Sequence, residues 1–335
     1  MNLWGNGHSS LSQQLASVER RIAEAVQSRE PVLADLAVDL LEAGGKRLRP
    51  ALVLLGASYG SDNDETTMDV AAAIELLHMA TLVHDDIIDG ASSRRGRLTI
   101  NAVHGPEVAV FTGDFVLTKA LLLLARARER ERMVELAQAM VRICEGEVGQ
   151  FVDRYTLDTS LRRYLRKIRG KTAILFALSA AAGARHSRAP EPYVKALARY
   201  GLHFGMAFQI LDDVLDYVSD QKKAGKPVGH DVVSGVYTLP LLYALDDQTV
   251  GPPLRSLLAD RVRPNSQRIV DLVLCTDGPA RAERLARSYM RKAGLALSDL
   301  PTEHESTLLL RELPGQLLSP ILAQLDQATR ARREI

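Results

Sequence analysis

Apolar residues recur at helical spacing along almost the whole chain: Leu33, Leu36, Leu40 and Leu41 in one stretch, Ile74, Leu77, Met79 and Leu82 in another. Convincing strand alternation is missing, so the pattern predicts an all-α fold. It is interrupted at Ala43-Gly44-Gly45, at Ser58-Tyr59-Gly60, and around 90–97, 183–192, 224–235 and 251–253, where Gly, Pro and small polar residues gather. Such breaks predict short connections between long helices. No linker is long or biased enough to mark a boundary, so one domain over 1–335 is expected. The unbroken apolar runs at 120–125 and 173–178 are short, and no bilayer-crossing helix is expected from them.

Two polar interruptions change the picture. Asp85-Asp86-Ile87-Ile88-Asp89 and Asp212-Asp213-Val214-Leu215-Asp216 place aspartates at i, i+1 and i+4 among apolar neighbours. On a helix, i and i+4 share one face and i+1 lies about 100° away. A single cluster also reads as a solvated helix face; a duplicate in an equally apolar setting reads as a built feature. Grouped carboxylates that lose hydration cost several kcal/mol per ion unless a cation answers them. Hard oxygen ligands at this spacing suit Mg²⁺, which takes one or two carboxylates and completes its shell with water and phosphate oxygens. Two such clusters would clamp a polyphosphate.

Cations stand near both clusters. Gly44-Gly45-Lys46-Arg47-Leu48-Arg49-Pro50 precedes an apolar helix, Arg94-Arg95-Gly96 follows the first cluster, Lys171-Thr172 opens the run 173–182, and Gly225-Lys226-Pro227 follows the second cluster. Arginine suits fork-like phosphate contacts and lysine supplies a point charge. His78, Thr81, Asp85 and Asp89 fall on one helical stripe, with His78 roughly 10 Å before the aspartates by helical rise, the distance of a second substrate group rather than a ligand of the same metal. Gln209 lies about one turn before Asp212 and offers an amide.

The net charge of +1 excludes a general nucleic-acid surface. The Arg-rich stretches at 125–132 and 328–333 read as solvated helix faces. Cys144 and Cys275 are too few for a disulfide framework. Together with an N-terminus that lacks a charged-then-apolar leader pattern, they predict a cytoplasmic protein, with Cys144 in the core.

The set GGKRLRP, HDDIIDGASSRRG, KTA, FQILDDVLDY and GKPVGHD…TLP resembles the trans-prenyl diphosphate synthases (polyprenyl synthetases), in that family's order over nearly the whole chain. The resemblance implies an isoprenoid synthase fold with helices around a deep central cavity and the two aspartate motifs facing each other across it. It implies that Asp85, Asp86, Asp89, Asp212, Asp213 and Asp216 hold Mg²⁺ on an allylic diphosphate contacted by Arg94, Lys171 and Lys226. Lys46, Arg49, His78 and Arg95 match the positions that hold isopentenyl diphosphate, and Thr172 and Gln209 match polar groups near the developing cation. It also implies a homodimer, with a small second subunit in heteromeric members, and transient membrane contact for product release. The sequence departs from the family at Val236, where members often carry lysine.

Ala80 and Thr81 precede Asp85 by five and four positions, where members stopping at fifteen carbons typically have an aromatic. Small side chains there imply a cavity that continues downward and a product of about 30–40 carbons, its tail gaining about 0.8 kcal/mol per buried CH₂. Leu121–Leu124 either line such a tunnel or are ordinary core. The nearest alternative is a geranylgeranyl diphosphate synthase. The others are a subunit of a heteromeric hexaprenyl or heptaprenyl synthase, a terpene cyclase, and a metal phosphohydrolase using His84 and Asp85. A cyclase has no need of a second diphosphate set, and a phosphohydrolase predicts further histidine ligands.

Overall fold

The computed structural model describes residues 9–61, 65–126, 130–218, 229–259 and 266–333. Helices occupy almost all of them, in chain order α1 Ser9–Ala25, α2 Pro31–Glu42, α3 Leu48–Ala57, α4 Glu65–Ile88, α5 Ile100–Arg126, α6 Arg130–Val152, α7 Leu161–Ile168, α8 Ile174–His186 and α9 Glu191–Val218. There follow α10 His230–Val233, α11 Leu239–Leu245, α12 Gly251–Ala259, α13 Ser266–Leu274, α14 Gly278–Ala296 and α15 Glu305–Arg333. Among the described residues the strands are one two-residue hairpin, β1 Ser93–Arg94 against β2 Arg97–Leu98, with Arg94 opposite Arg97. The all-α expectation holds.

The chain forms two compact units: Met1–Ala139 with Leu175–Ala198, and Met140–Ile174 with Arg199–Ile335. The core of the first is α3 and α4. All of α3 from Pro50 to Ala57 is buried, and α4 buries Val70 to Leu77 without a break. Each Leu or Val so buried contributes about 1.5–3 kcal/mol, enough to hold α4 rigidly while its last turn carries charges. α4 packs most extensively against α5 and next against α3 and α1. α5 is bent at Gly105 (φ 85, ψ 167) where Pro106 follows, because proline cannot donate the next helical bond. In the second unit Phe204, Ile210, Leu211, Val214 and Tyr217 bury the apolar face of α9, and Tyr200 stacks on Phe204 while donating to Leu310 O at 2.7 Å.

Two expectations are corrected. Thr66–Ile88 and Ile100–Ala125 are long and apolar enough to cross a membrane by length and composition, although no unbroken apolar run is. Isolated Gly, Thr and His break the runs without lowering mean hydropathy much; the first window is 72% buried and the second 39%. Cys144 is exposed rather than core, because it lies on an outward position of the amphipathic α6. Of the four leucines at 121–124, Leu123 and Leu124 are buried and Leu122 is 44% exposed, as a helix imposes on consecutive residues.

Candidate active site

The first aspartate cluster is the last turn of α4. Asp89 N–H still donates to Asp85 O at 2.9 Å, and the chain then turns at Gly90 (φ 61), with Ala91 N–H reaching back to Asp86 O at 2.9 Å. This left-handed helix end asks for glycine by backbone conformation alone, since a Cβ there would meet nothing within 4 Å. Asp86 is buried and accepts from Arg94 Nε at 2.8 Å, while Asp85 and Asp89 are half-buried on the i, i+4 side.

A basic loop and hairpin lie in the same unit. Arg47 (φ 48) and Arg95 (φ 53) both hold left-handed backbones. Arg95 Nη1 donates to Gly44 O, and a Cβ at Gly45 (φ 155) would come within 2.9 Å of that same guanidinium nitrogen. Arg49 places its guanidinium 4.5 Å from the centre of the Phe176 ring, and its buried Nε has no hydrogen-bond partner. Burial lowers the Arg49 pKa to about 10, with Arg95 adding to the shift and Glu75 opposing it. His78 is pushed well below the ordinary imidazole range by burial first, then by Arg49, Arg95, Arg94 and Arg47. It is therefore a neutral ring among guanidiniums. A cavity of about 320 Å³ opens here, lined by Arg47, Glu75, His78, Arg94 and Arg95 together with Leu36, Leu40 and Leu82. Lys46 is exposed.

In the second unit, α7 ends in a π-helical turn, Arg169–Ala173, that carries Lys171 and Thr172; such turns often mark functional positions. Lys171 Nζ lies 2.8 and 2.9 Å from the two carboxylate oxygens of Glu147. Thr172 Oγ1 donates to Gln209 Oε1 at 2.7 Å, which turns the amide so that Gln209 Nε2 donates to Asp213 Oδ1 at 2.8 Å. Tyr164 OH takes the other oxygen, Asp213 Oδ2, at 2.6 Å. Asp213 is thus held inward, Asp212 is exposed and Asp216 half-buried. Asp231 N–H donates to Asp216 Oδ2 at 3.2 Å. Burial pushes the Asp213 carboxyl up to about 7, against the hydrogen bonds from Tyr164 and Gln209 and with the repulsion of Asp212 and Asp216. Burial and the same three aspartates push Asp231 well above the carboxylate range.

Lys226 lies outside the described residues. Ala80 is buried and Thr81 half-buried, with Thr81 Oγ1 donating back to His78 O at 2.7 Å. Val236 is half-buried and its N–H donates to Asp231 O at 2.8 Å. His84 Nε2 is engaged by Asp114 at 3.3 Å.

Residues 30–272 match the polyprenyl synthetase family model. The chain belongs to that family. It is a prenyltransferase of isoprenoid biosynthesis with the isoprenoid synthase fold. It is 42% identical, over 91% of its length and 95% of the relative's, to heptaprenyl diphosphate synthase component 2 of Geobacillus stearothermophilus. Its structure is similar to a polyprenyl synthase from Caulobacter crescentus complexed with calcium and isoprenyl diphosphate (TM-score 0.85, 34% identity, covering 90% of this chain and 93% of that one). It is likewise similar to a geranylgeranyl pyrophosphate synthase from Lactobacillus brevis (TM-score 0.88, 34% identity, covering 95% and 99%).

For a polyprenyl synthetase, four neighbours of the site were missed in the sequence. Glu75 lies one turn before His78 on the same stripe, a signal that was readable. Asp231 stands inside the GKPVGHD stretch. Tyr164 and Glu147 gave no local signal, because their partners are 49 and 24 residues away. Among the described residues no group of three His, Cys, Asp or Glu side chains is arranged to hold a metal ion by itself. The donor set nevertheless fits Mg²⁺, because the carboxylates of both clusters are all hard oxygen donors.

Proposed function

We propose that this chain is a Mg²⁺-dependent, long-chain all-trans-polyprenyl diphosphate synthase that condenses isopentenyl diphosphate with an allylic diphosphate. One observation carries the reading. In both clusters the middle aspartate is turned inward onto a protein donor, Asp86 to Arg94 and Asp213 to Tyr164 and Gln209. The first and third, Asp85 with Asp89 and Asp212 with Asp216, share one side of their helices, where they can hold metal ions together with substrate oxygens. When bound, Mg²⁺ neutralises charge on the departing diphosphate.

The chain's own residues do the rest. Arg94, Lys171 and Lys226 bind and orient the allylic diphosphate. Lys46, Arg49 and Arg95 hold isopentenyl diphosphate, and neutral His78 contributes a hydrogen bond without titrating. The allylic C–O bond breaks, the alkene of isopentenyl diphosphate forms the new C–C bond, and the proton lost goes to the released diphosphate. Thr172 and Gln209, hydrogen-bonded to each other, keep oxygen lone pairs that can stabilise the cationic carbon chain as fixed dipoles. No nucleophilic side chain is required.

The small residues Ala80 and Thr81 and the heptaprenyl relative support a product of about 30–40 carbons, each further buried CH₂ adding about 0.8 kcal/mol. The polar substrates support a cytoplasmic enzyme, and the exposed apolar side chains of α5 support a homodimer. Pure protein incubated with Mg²⁺, labelled isopentenyl diphosphate and each allylic starter tests the reading. A ladder ending near those lengths is expected. Products stopping at twenty carbons would make it a geranylgeranyl diphosphate synthase, and elongation only after a second subunit is added would make it one component of a pair.

A further inference from the structure

Arg47 sits where an arginine is costly. Its backbone is left-handed, about 1–2 kcal/mol worse than the right-handed form for a side chain with a Cβ, and it caps α3 with its own carbonyl, which accepts from Ala51 N–H at 3.1 Å. The side chain answers that cost with four contacts. Nε donates to Glu19 Oε1 at 2.7 Å, Nη2 to Leu41 O at 2.6 Å, and Nη1 to Glu75 Oε1 at 3.2 Å and to Gly44 O at 3.5 Å. Its side chain is 10% exposed and that of Glu75 6%. The guanidinium is therefore turned into the protein and has little left for a substrate, although Lys46 before it and Arg49 two residues after it are placed for one.

Glu75 has a second effect. Its charge bears on Arg49 and Arg95 as well as on Arg47. Arg49, buried at Nε without a partner and packed on Phe176, relies on that field to keep its charge in place before an anion arrives.

We propose that Arg47 and Glu75 are the positioning pair of the isopentenyl diphosphate site. Arg47 locks the Gly44–Gly45 turn to α1, α2 and α4, so that Lys46, just before α3, and Arg49, in its first turn, are held at a fixed angle. Glu75 holds Arg47 and steadies the surrounding guanidiniums while the site is empty. Neither residue touches substrate. The inference rests on the proposed isopentenyl diphosphate role of Lys46, Arg49 and His78, and gives that role a supporting layer that the resemblance to the family does not assign.

The two effects of a carboxylate here have opposite signs, which makes the proposal testable. A carboxylate that merely competes with a diphosphate would, on removal, leave tighter binding. A carboxylate that positions the cations leaves weaker binding. Initial rates with Mg²⁺ and saturating starter should be measured for E75Q, R47K and E19Q, with K46Q as the control for the site itself. E75Q and R47K should raise KM for isopentenyl diphosphate about tenfold while KM for the starter stays within twofold and kcat falls less than threefold. E19Q removes only the half-exposed partner and should raise the same KM two- to threefold. Thermal unfolding shows whether the buried substitutions fold; where one does not, E19Q and R47K decide. A lower or unchanged KM in the folded variants, with K46Q raising it, overturns the positioning role and leaves the site in place. An unchanged KM in K46Q as well overturns both readings.

Discussion

At the residue scale, the aspartates within each cluster differ in their surroundings although they are chemically identical. Helix geometry sends i+1 away from i and i+4, and the inward residue finds Arg94 in one cluster and Tyr164 with Gln209 in the other. Asp85→Ala and Asp212→Ala should therefore each lower kcat by several orders of magnitude with the thermal midpoint held or raised, since each removes a carboxylate from a repelling group. Near-normal turnover at saturating Mg²⁺ would end the shared-ligand reading. His78 gives a pH signature. Its pKa lies well below that of an exposed imidazole, so in the acid range the unfolded chain takes up a proton that the folded chain refuses. Stability is then full above about pH 6.5 and falls as the pH drops through that value. His78→Gln should lose less stability between pH 7 and pH 5 than the wild type, by up to about 1.4 kcal/mol per pH unit; parallel stability curves would show that His78 titrates normally. The spacing of the aspartates made their inward and outward sides readable from sequence. The pairing of Arg47 with Glu75, or of Tyr164 with Asp213, was not, because each joins residues 28 or 49 apart through packing that no local pattern encodes.

At the element scale, α4 does two jobs along one rod. Its middle, Val70 to Leu77, is core, and its last three turns carry Ala80, Thr81 and the aspartates. The periodicity gave this helix away, and the glycine at 90 marked its end. The π-helical turn at Lys171 was invisible, since an extra residue in a turn leaves no mark in an apolar run. Side chains of a helix point back toward its N-terminus, so residues four and five before Asp85 lie in the path of a tail descending from the aspartates. Ala80 is 2% exposed, and close-packed surroundings cannot take a ring there without strain of about 1–3 kcal/mol. Ala80→Phe or Thr81→Tyr should leave the first condensations intact and stop later ones, giving products of about fifteen to twenty carbons if the ring blocks the tail. Chromatography of the product ladder checks this, and an unchanged ladder from folded, active variants would place the tail elsewhere.

At the scale of the whole molecule, the apolar surface that remains uncovered bears on how the chain works. On α5, Phe111 is 68% exposed and Leu122 44%, with Phe115 and Thr118 between them at spacings of three and four that keep all four on one side of the helix. Lys119 lies 4.9 Å from the Phe115 ring and covers part of that side with its stem. On α6, Val141, Val148, Phe151 and Val152 are each more than half exposed. Single exposed apolar residues need no explanation, but a run of them along one helix is what association surfaces look like. A second copy of the chain would cover such a stripe with its own, as a two-fold interface does, and stable interfaces of this kind remove about 1,200–2,000 Å² from water. The substitution pair Phe111→Glu and Leu122→Lys puts charges where that contact would be dry. Sedimentation should show the wild type as a dimer and the double variant as a monomer with reduced turnover, the metal and diphosphate residues being untouched. A wild type that sediments as a fully active monomer would leave the stripe without this role. A wild type that sediments alone and turns over only with a second, different chain would assign the same surface to that partner.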